Sequence, residues 1–274
     1  MRGAMTLSPE ACRRAAALLL AARRERSPIP ALPEDCRPAT VAEGYAIQAA
    51  VRDLRGGELA GFKIGATSQA ARTLLATEEP FHGCLFADGI HDSPATLTAG
   101  DTNFRLIEPE FAFRLGADLP AREAPYGRVE LVRAIASLHP AFEVVTSAYG
   151  EAWTGAGLPQ LIADNGVHAC LVLGPAMADW GTLDLAAREV VFEKGGTEIG
   201  RGQGANALGH PLHALAWLAD RGVLADPSTR TSRGLKTGDL ITTGLVTPFA
   251  YAEAGTVLRA DYGPLGAVEL LFSA

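Results

Sequence analysis

From residue 58 onward the chain is a succession of short apolar runs bounded by glycine, proline and acidic residues. ELAGFKIGAT, FRLIEPEFAFRLG, ASLHPAFEVVTS, HACLVLG, DLITTG and GAVELLF each have strand length and strand composition. REVVFEKGGTEIGRG predicts a hairpin turning at Gly195–Gly196. Only SQAARTLLAT and HPLHALAWLADRG, with Pro211 in its first turn, read as helices in this part. A doubly wound sheet needs strands that alternate regularly with helices. This order lacks that alternation and predicts a β-rich α+β domain.

The first 57 residues have a different texture. A helix is predicted from Ser8, as cap, to about Arg26, with Pro9 in its first turn. The proline-rich SPIPALPEDCRP connects it to a second helix that opens at Thr40. TVAE there is a capping-box signature, and Ile47, Val51 and Leu54 form an apolar stripe that stops at Gly56–Gly57. The chain therefore divides into a helical region, 1–57, and a main domain, 58–274.

Composition narrows the function classes. The formal net charge of −7 over 274 residues gives no electrostatic footprint for nucleic acid, and the three tryptophans are not interleaved with basic residues. AAALLLAA is too short to span a bilayer and no cleavage site follows it, so no membrane partner and a cytoplasmic location are expected. Cys12, Cys36, Cys84 and Cys170 form no CxxC pair, which disfavours a zinc ribbon and suits a reducing compartment.

IEPEFAF places Glu108 and Glu110 on one face of a strand, with Leu106 and Ala112. Ile107, Phe111 and Phe113 then point into a core. Pro109 removes a ladder donor and predicts a sheet edge or a bulge. Two readings are open for the glutamate face: it meets water, or it holds a cation. Glu143, set among Phe142, Val144 and Val145 in another strand, would be costly to bury without a partner or a metal. Three carboxylates from two strands make a hard oxygen site suited to Mg²⁺ or Mn²⁺. Lys63, between Phe62 and Ile64, either snorkels from an edge or sits in an apolar pocket, where a neutral amine can act as a base.

In chain order, AGFKIGATS, IEPEFAFRLGADLP, HPAFEVVTS, LIADNG, ALGHPLHALAWLA, TGDLITTG and ADYGPLGAVELLF resemble the 2-keto-4-pentenoate hydratase group. That group includes the 4-oxalocrotonate decarboxylases and lies within the fumarylacetoacetate hydrolase superfamily. The resemblance implies a mixed β-roll with flanking helices, a homo-oligomer, and Mg²⁺ or Mn²⁺ on Glu108, Glu110 and Glu143. It implies proton transfer by Lys63, a pocket loop carrying Asp164 and Asn165, and a substrate-carboxylate contact at Thr243 and Gly244. The implied reaction is hydration of 2-hydroxypenta-2,4-dienoate or a close 2-oxo acid, in aromatic-compound breakdown. Decarboxylation of the 4-oxalocrotonate type is the nearest alternative and acylpyruvate-type C–C hydrolysis the next. One departure stands out. The hydratases carry an acidic residue in the turn that here reads Pro80-Phe81-His82-Gly83, a form that resembles the decarboxylases more; either Glu79 or His82 is expected to take its catalytic place, or the water-activating role lies elsewhere.

Two weaker signals point elsewhere. Gly202, Gly204 and Ala207 fit a loose dinucleotide-binding pattern, but they follow a polar hairpin rather than a buried parallel strand, against a nicotinamide oxidoreductase. His210 and His213 have weak ligand spacing, and His139 reads as structural.

Overall fold

The computed structural model describes residues 7–221 and 233–274. Two helices lead: α1 (Pro9–Arg24) and α2 (Val41–Arg55). Ser8 caps α1 by accepting from Ala11 N. Thr40 and Glu43 cap α2 reciprocally, and Gly56 ends it at φ +65°. The rest of the first half is β1 (Leu59–Gly65), α3 (Gln69–Leu74), β2 (Phe81–Phe86), β3 (Ile90–Asp92), β4 (Ala95–Thr98), β5 (Leu106–Leu115), α4 (Arg128–Ala134) and β6 (Ile135–Val145). The second half is α5 (Leu158–Ala163), β7 (His168–Leu173), β8 (Glu189–Lys194), β9 (Thr197–Gln203), α6 (Pro211–Asp220), β10 (Leu240–Thr242), β11 (Ala250–Tyr251), β12 (Val257–Asp261) and β13 (Ala267–Ser273).

The strands form two sheets. One has eight strands, ordered β2-β1-β10-β5-β6-β7-β3, with β11 as a further partner of β5; the other runs β4-β13-β12-β8-β9. Pairings β1–β10, β3–β7 and β4–β13 are parallel and the others antiparallel, which is the mixed β-rich α+β arrangement expected. The hairpin β8–β9 turns at Gly195–Gly196, both at positive φ. Ile107, Phe111, Phe113 and Phe142 meet Phe192 and Phe272 of the second sheet, and Tyr262 just after β12, in one large apolar cluster. Leu106 and Ala112, on the opposite face of β5, belong to two other clusters.

Pro109 departs from expectation, because β5 is an interior strand of the larger sheet. On one side it pairs along its length with β6; on the other, β10 covers Ala112–Arg114 and β11 covers Leu106–Ile107. Between these two short partners the chain makes only single contacts: Thr243 N donates to Phe111 O and Val246 N to Pro109 O. The N and C=O of an antiparallel residue point the same way, so the donor that proline lacks falls in the gap between β10 and β11.

The leading helices share their apolar cluster with the sheet: Ala15, Leu19, Ile47 and Val51 pack with Leu106, Val145, Tyr149 and Leu161. No helix among the described residues is long and apolar enough to cross a membrane. A polar clasp reinforces the helix–sheet contact. Arg23, in the last turn of α1, donates to Asp164 Oδ1 (2.6 Å), Asp164 O (2.8 Å), His168 O (2.7 Å) and Thr146 O (3.1 Å). Asp164 is 1% exposed and also accepts from Ser147 Oγ and Ala148 N. Removing the guanidinium would strand a buried carboxylate. Arg23→Ala is therefore expected to cost about 3 kcal/mol of stability. Chemical denaturation checks this, and a loss below about 1 kcal/mol would contradict the clasp.

Candidate active site

Register brings the acidic residues together. In the β5–β6 ladder Glu108 lies directly opposite Glu143, and Glu110 opposite Ala141, so all three carboxylates rise from one face. One oxygen from each can be chosen so that all three lie within 4.8 Å of one another. Glu110 and Glu143 are fully buried and Glu108 is half-buried. The water-facing reading of this strand face is thus overturned.

Each fully buried carboxylate has one oxygen held by the protein and one without a partner. Glu143 Oε1 meets His168 Nδ1 at 2.9 Å and Lys63 Nζ at 3.8 Å, while its Oε2 has none. Glu110 Oε2 accepts from Gly244 N at 2.7 Å, while its Oε1 has none. Buried acceptors left unmatched are costly unless something else satisfies them. Two such oxygens beside a third carboxylate are a donor set that fits a hard divalent cation.

Electrostatics agree with the geometry. Burial, then the charge of Glu143, pushes Glu108 up to about 8. Burial and the two neighbouring carboxylates hold Glu110 well above the usual carboxylate range. Glu143 also suffers from burial, but Lys63 and then His168 outweigh it and bring its pKa below the ordinary value. The cluster is strained by its own charge; Lys63 favours the ionised forms of Glu143 and Glu108 but outweighs burial only for Glu143.

Lys63 is buried, not snorkelling: it is 2% exposed. Its ammonium lies 4.7 Å from the Phe81 ring centre. The stem passes Gly166, where an added Cβ would come 2.7 Å from Lys63 Cε. Gly166 lies between Asn165 and Val167, all three at positive φ, which for a β-branched valine is strained. Gly244 has a comparable constraint: φ is +91° and an added Cβ would fall 1.9 Å from Thr67 Oγ1. Only glycine lets this backbone N–H reach Glu110.

A cavity of about 910 Å³ opens over this cluster, lined by Lys63, Glu108, Phe81, Trp153, Val167 and parts of α3 and of the 245–249 segment. Thr243 and Gly244, expected at the substrate carboxylate, do not line it: Thr243 is fully buried with a hydroxyl that has no partner, and the Gly244 N–H is taken by Glu110. The loop at 164–167 does reach the cavity, but through Val167. The Asp164 carboxylate is taken by Arg23, Ser147 and Ala148. The Asn165 amide spans Cys84, accepting from its N–H and donating to its carbonyl. Both side chains expected to face substrate are thus engaged in holding the fold.

Glu79 and His82 are not brought to the cluster. The residues from Phe81 begin strand β2 rather than a turn, and His82 and Glu79 line a smaller cavity of about 490 Å³ with Tyr45 and Arg221. His82 stacks on Tyr45 at 4.5 Å, and burial together with the charges of Lys63 and Arg221 lowers its pKa to about 3. Glu79 is exposed and pairs with Arg221.

Sequence reading missed His168. It sits 25 residues from Glu143, and only the β6–β7 pairing shows that they touch. Tyr262 was missed too: its hydroxyl donates toward Glu110 O and Ala141 O beneath the cluster. His139, His210 and His213 are structural. His139 joins Ser137 and Gly174 O, His210 caps α6 by accepting from Leu212 N, and His213 contacts Leu208 O. Gly202 and Gly204 fall on and just after β9, an antiparallel strand at a sheet edge, the wrong setting for a dinucleotide motif.

Comparison with known proteins agrees with this site. No family model matches the sequence. The 2-keto-4-pentenoate hydratase 2 of Dechloromonas aromatica is 33% identical over 270 residues, covering 97% of this chain and 98% of that protein. The structure of 4-oxalocrotonate decarboxylase from Pseudomonas putida G7, complexed with magnesium and adipate, superposes with a TM-score of 0.87 at 27% identity, over 97% of this chain and 99% of that one. Fumarylpyruvate hydrolase from Pseudomonas aeruginosa, complexed with Mn²⁺ and pyruvate, matches in fold, with a TM-score of 0.59 at 13% identity over 77% of this chain and 88% of that one. The two sheets are the mixed β-roll of the fumarylacetoacetate hydrolase superfamily. With a relative this similar along nearly its whole length and the acidic cluster in place, the chain belongs to the 2-keto-4-pentenoate hydratase family, a family of hydro-lyases.

Proposed function

We propose that this enzyme hydrates 2-hydroxypenta-2,4-dienoate, or a close 2-oxo acid, with Mg²⁺ or Mn²⁺ held by Glu108, Glu110 and Glu143. The observation that carries this reading is the pair of unpartnered buried oxygens, Glu110 Oε1 and Glu143 Oε2, beside Glu108 and Lys63 at a cavity. When bound, such a cation supplies fixed positive charge facing the carboxylate and 2-oxo oxygens of the substrate, where negative charge builds on enolisation. The protein's groups do the rest. The Lys63 ammonium, steadied by Glu143 and the Phe81 ring, gives a proton to carbon and recovers one from the enol hydroxyl as the substrate ketonises. His168 holds Glu143 and the Gly244 N–H holds Glu110, so neither carboxylate swings away. Water then adds at the distal double bond of the ketonised substrate, and 4-hydroxy-2-oxopentanoate results.

Decarboxylation of a 2-oxohex-3-enedioate is a second reading. Apart from Glu108, no carboxylate is among the described residues lining the cavity, and the hydration step has no second acid there to orient water. The decarboxylase superposition points the same way. We also read the enzyme as a cytoplasmic homo-oligomer in aromatic-compound breakdown. The four free cysteines suit a reducing compartment, and exposed Leu74, Phe249 and Tyr251 offer apolar surface for self-association.

Ultraviolet turnover with Mg²⁺ and with chelator tests the reaction. Loss of the dienoate with 4-hydroxy-2-oxopentanoate formed only with metal supports the hydratase; CO₂ release from the diacid alone replaces it with the decarboxylase. Lys63→Ala should keep metal binding and lose at least about a hundredfold in turnover, and full activity would remove its proton role. Glu143→Gln should abolish metal-dependent turnover, and activity in chelator-treated protein would sink the metal assignment. Because Glu108 and Glu110 keep protons to unusually high pH, cation binding at pH 7 should release roughly one to two protons. Affinity should therefore rise with pH through the range around 8 in which Glu108 loses its proton. Calorimetry in buffers of different ionisation enthalpy measures this, and a pH-independent affinity between 6 and 9 would contradict it.

A further inference from the structure

Three cationic side chains line the large cavity: Lys63, Arg72 and Arg201. Two are already matched. Lys63 faces Glu143, and Arg201 is held by Glu198 at 2.6 and 2.7 Å and by Glu189 at 2.7 Å. Arg72, on α3, is different. Its Nη1 donates to Thr67 O at 3.1 Å and Ala66 O at 3.5 Å, and its Nη2 to Gln69 Oε1 at 3.2 Å. All of these acceptors are neutral, and no carboxylate among the described residues pairs with it. The guanidinium is half-buried, so its charge is incompletely screened by water. The contacts with the two carbonyls hold it at the start of α3 with donors to spare.

The cavity also exceeds what a five-carbon acid fills, at about 910 Å³. One end of a 2-oxo acid belongs at the carboxylate cluster beside Lys63. The wall formed by α3 is another part of the same cavity, and there an anion would meet an unmatched cation that can bind carboxylate through two parallel N–H bonds. We infer that Arg72 is the counter-ion for the second carboxylate of the substrate, which makes the preferred substrate a dicarboxylic 2-oxo acid. This rests on the enolising-lyase reading above, and within it selects a close dicarboxylic 2-oxo acid over the five-carbon monoacid, whether the diacid is hydrated or loses CO₂.

The test is binding rather than turnover, so it stands apart from the reaction. Adipate and hexanoate, equal in length and different by one carboxylate, are titrated into the Mg²⁺-loaded full chain by calorimetry. The wild type is expected to prefer adipate by roughly tenfold, the scale of one charge-assisted pair. Arg72→Gln should erase that preference while leaving hexanoate affinity unchanged, and Arg72→Lys should restore part of it. Arg201→Gln should retain the preference, because two glutamates already neutralise that residue. Equal wild-type affinity for both acids overturns the inference. So does an equal loss of both in Arg72→Gln, or a loss of preference in Arg201→Gln instead. If neither the dienoate nor the enedioate turns over but the Arg72-dependent preference is present, the proposed reaction fails and the dicarboxylate site survives.

Discussion

Glu108 and Glu143 face each other across two antiparallel strands, in a place where like charges repel and burial penalises both. No packing argument favours such a pair. The surrounding structure supplies what makes it tolerable: a lysine ammonium, a histidine ring nitrogen and one backbone N–H. That compensation is partial, since one oxygen of each fully buried carboxylate stays unpaired. A protein that leaves carboxylate oxygens unmatched in its interior is prepared for a cation that exchanges with their protons. The position of Pro109 follows the same logic. Because β10 stops before reaching the glutamates and β11 starts after them, the backbone opens beside the cluster, and a residue without a donor costs little there.

Support for the cluster extends well beyond its own strands. His168 leads β7, and its carbonyl is gripped by Arg23 from the N-terminal helix, which also secures buried Asp164. The helices at the start of the chain are therefore tied to the residue that orients Glu143. On the other flank, Gly166 keeps clear of the lysine stem at the cost of three consecutive residues at positive φ. Backbone strain of this kind persists only where neighbouring contacts over-determine it. Here those contacts include the Asn165 amide on both backbone groups of Cys84.

The relatives divide between adding water and releasing CO₂, and both names occur among proteins similar to this chain over nearly its whole length. The two reactions need the same electron sink at the 2-oxo end of the substrate. They differ in what the protein offers at the other end. In this chain that region carries an unmatched arginine, and its histidine and glutamate candidates lie behind Phe81, in a separate cavity. On the reading proposed above, discrimination between the reactions belongs to the cavity wall and not to the acidic cluster.

The sequence by itself determined many of the longer elements and the identity of the metal-ligand candidates, while α4, α5 and the strands β2, β3, β4, β11 and β12 went unread. Alternation puts Glu108 and Glu110 on one face, capping chemistry starts α1 and α2, and a Gly–Gly pair turns the β8–β9 hairpin; each is a local rule acting over a few residues. Tertiary structure decided everything that depends on which strands are neighbours. The convergence of Glu143 with the other two glutamates, the His168 contact and the burial of Lys63 all follow from sheet order and register, set by packing between segments far apart in the chain. The same reason explains where local reading went astray. Pro109 looked like an edge because nothing local records that one neighbouring strand is interrupted. Asp164, Asn165, Glu79 and His82 looked available because their partners, Arg23, Cys84, Arg221 and Tyr45, come from elements that only the folded chain brings to them.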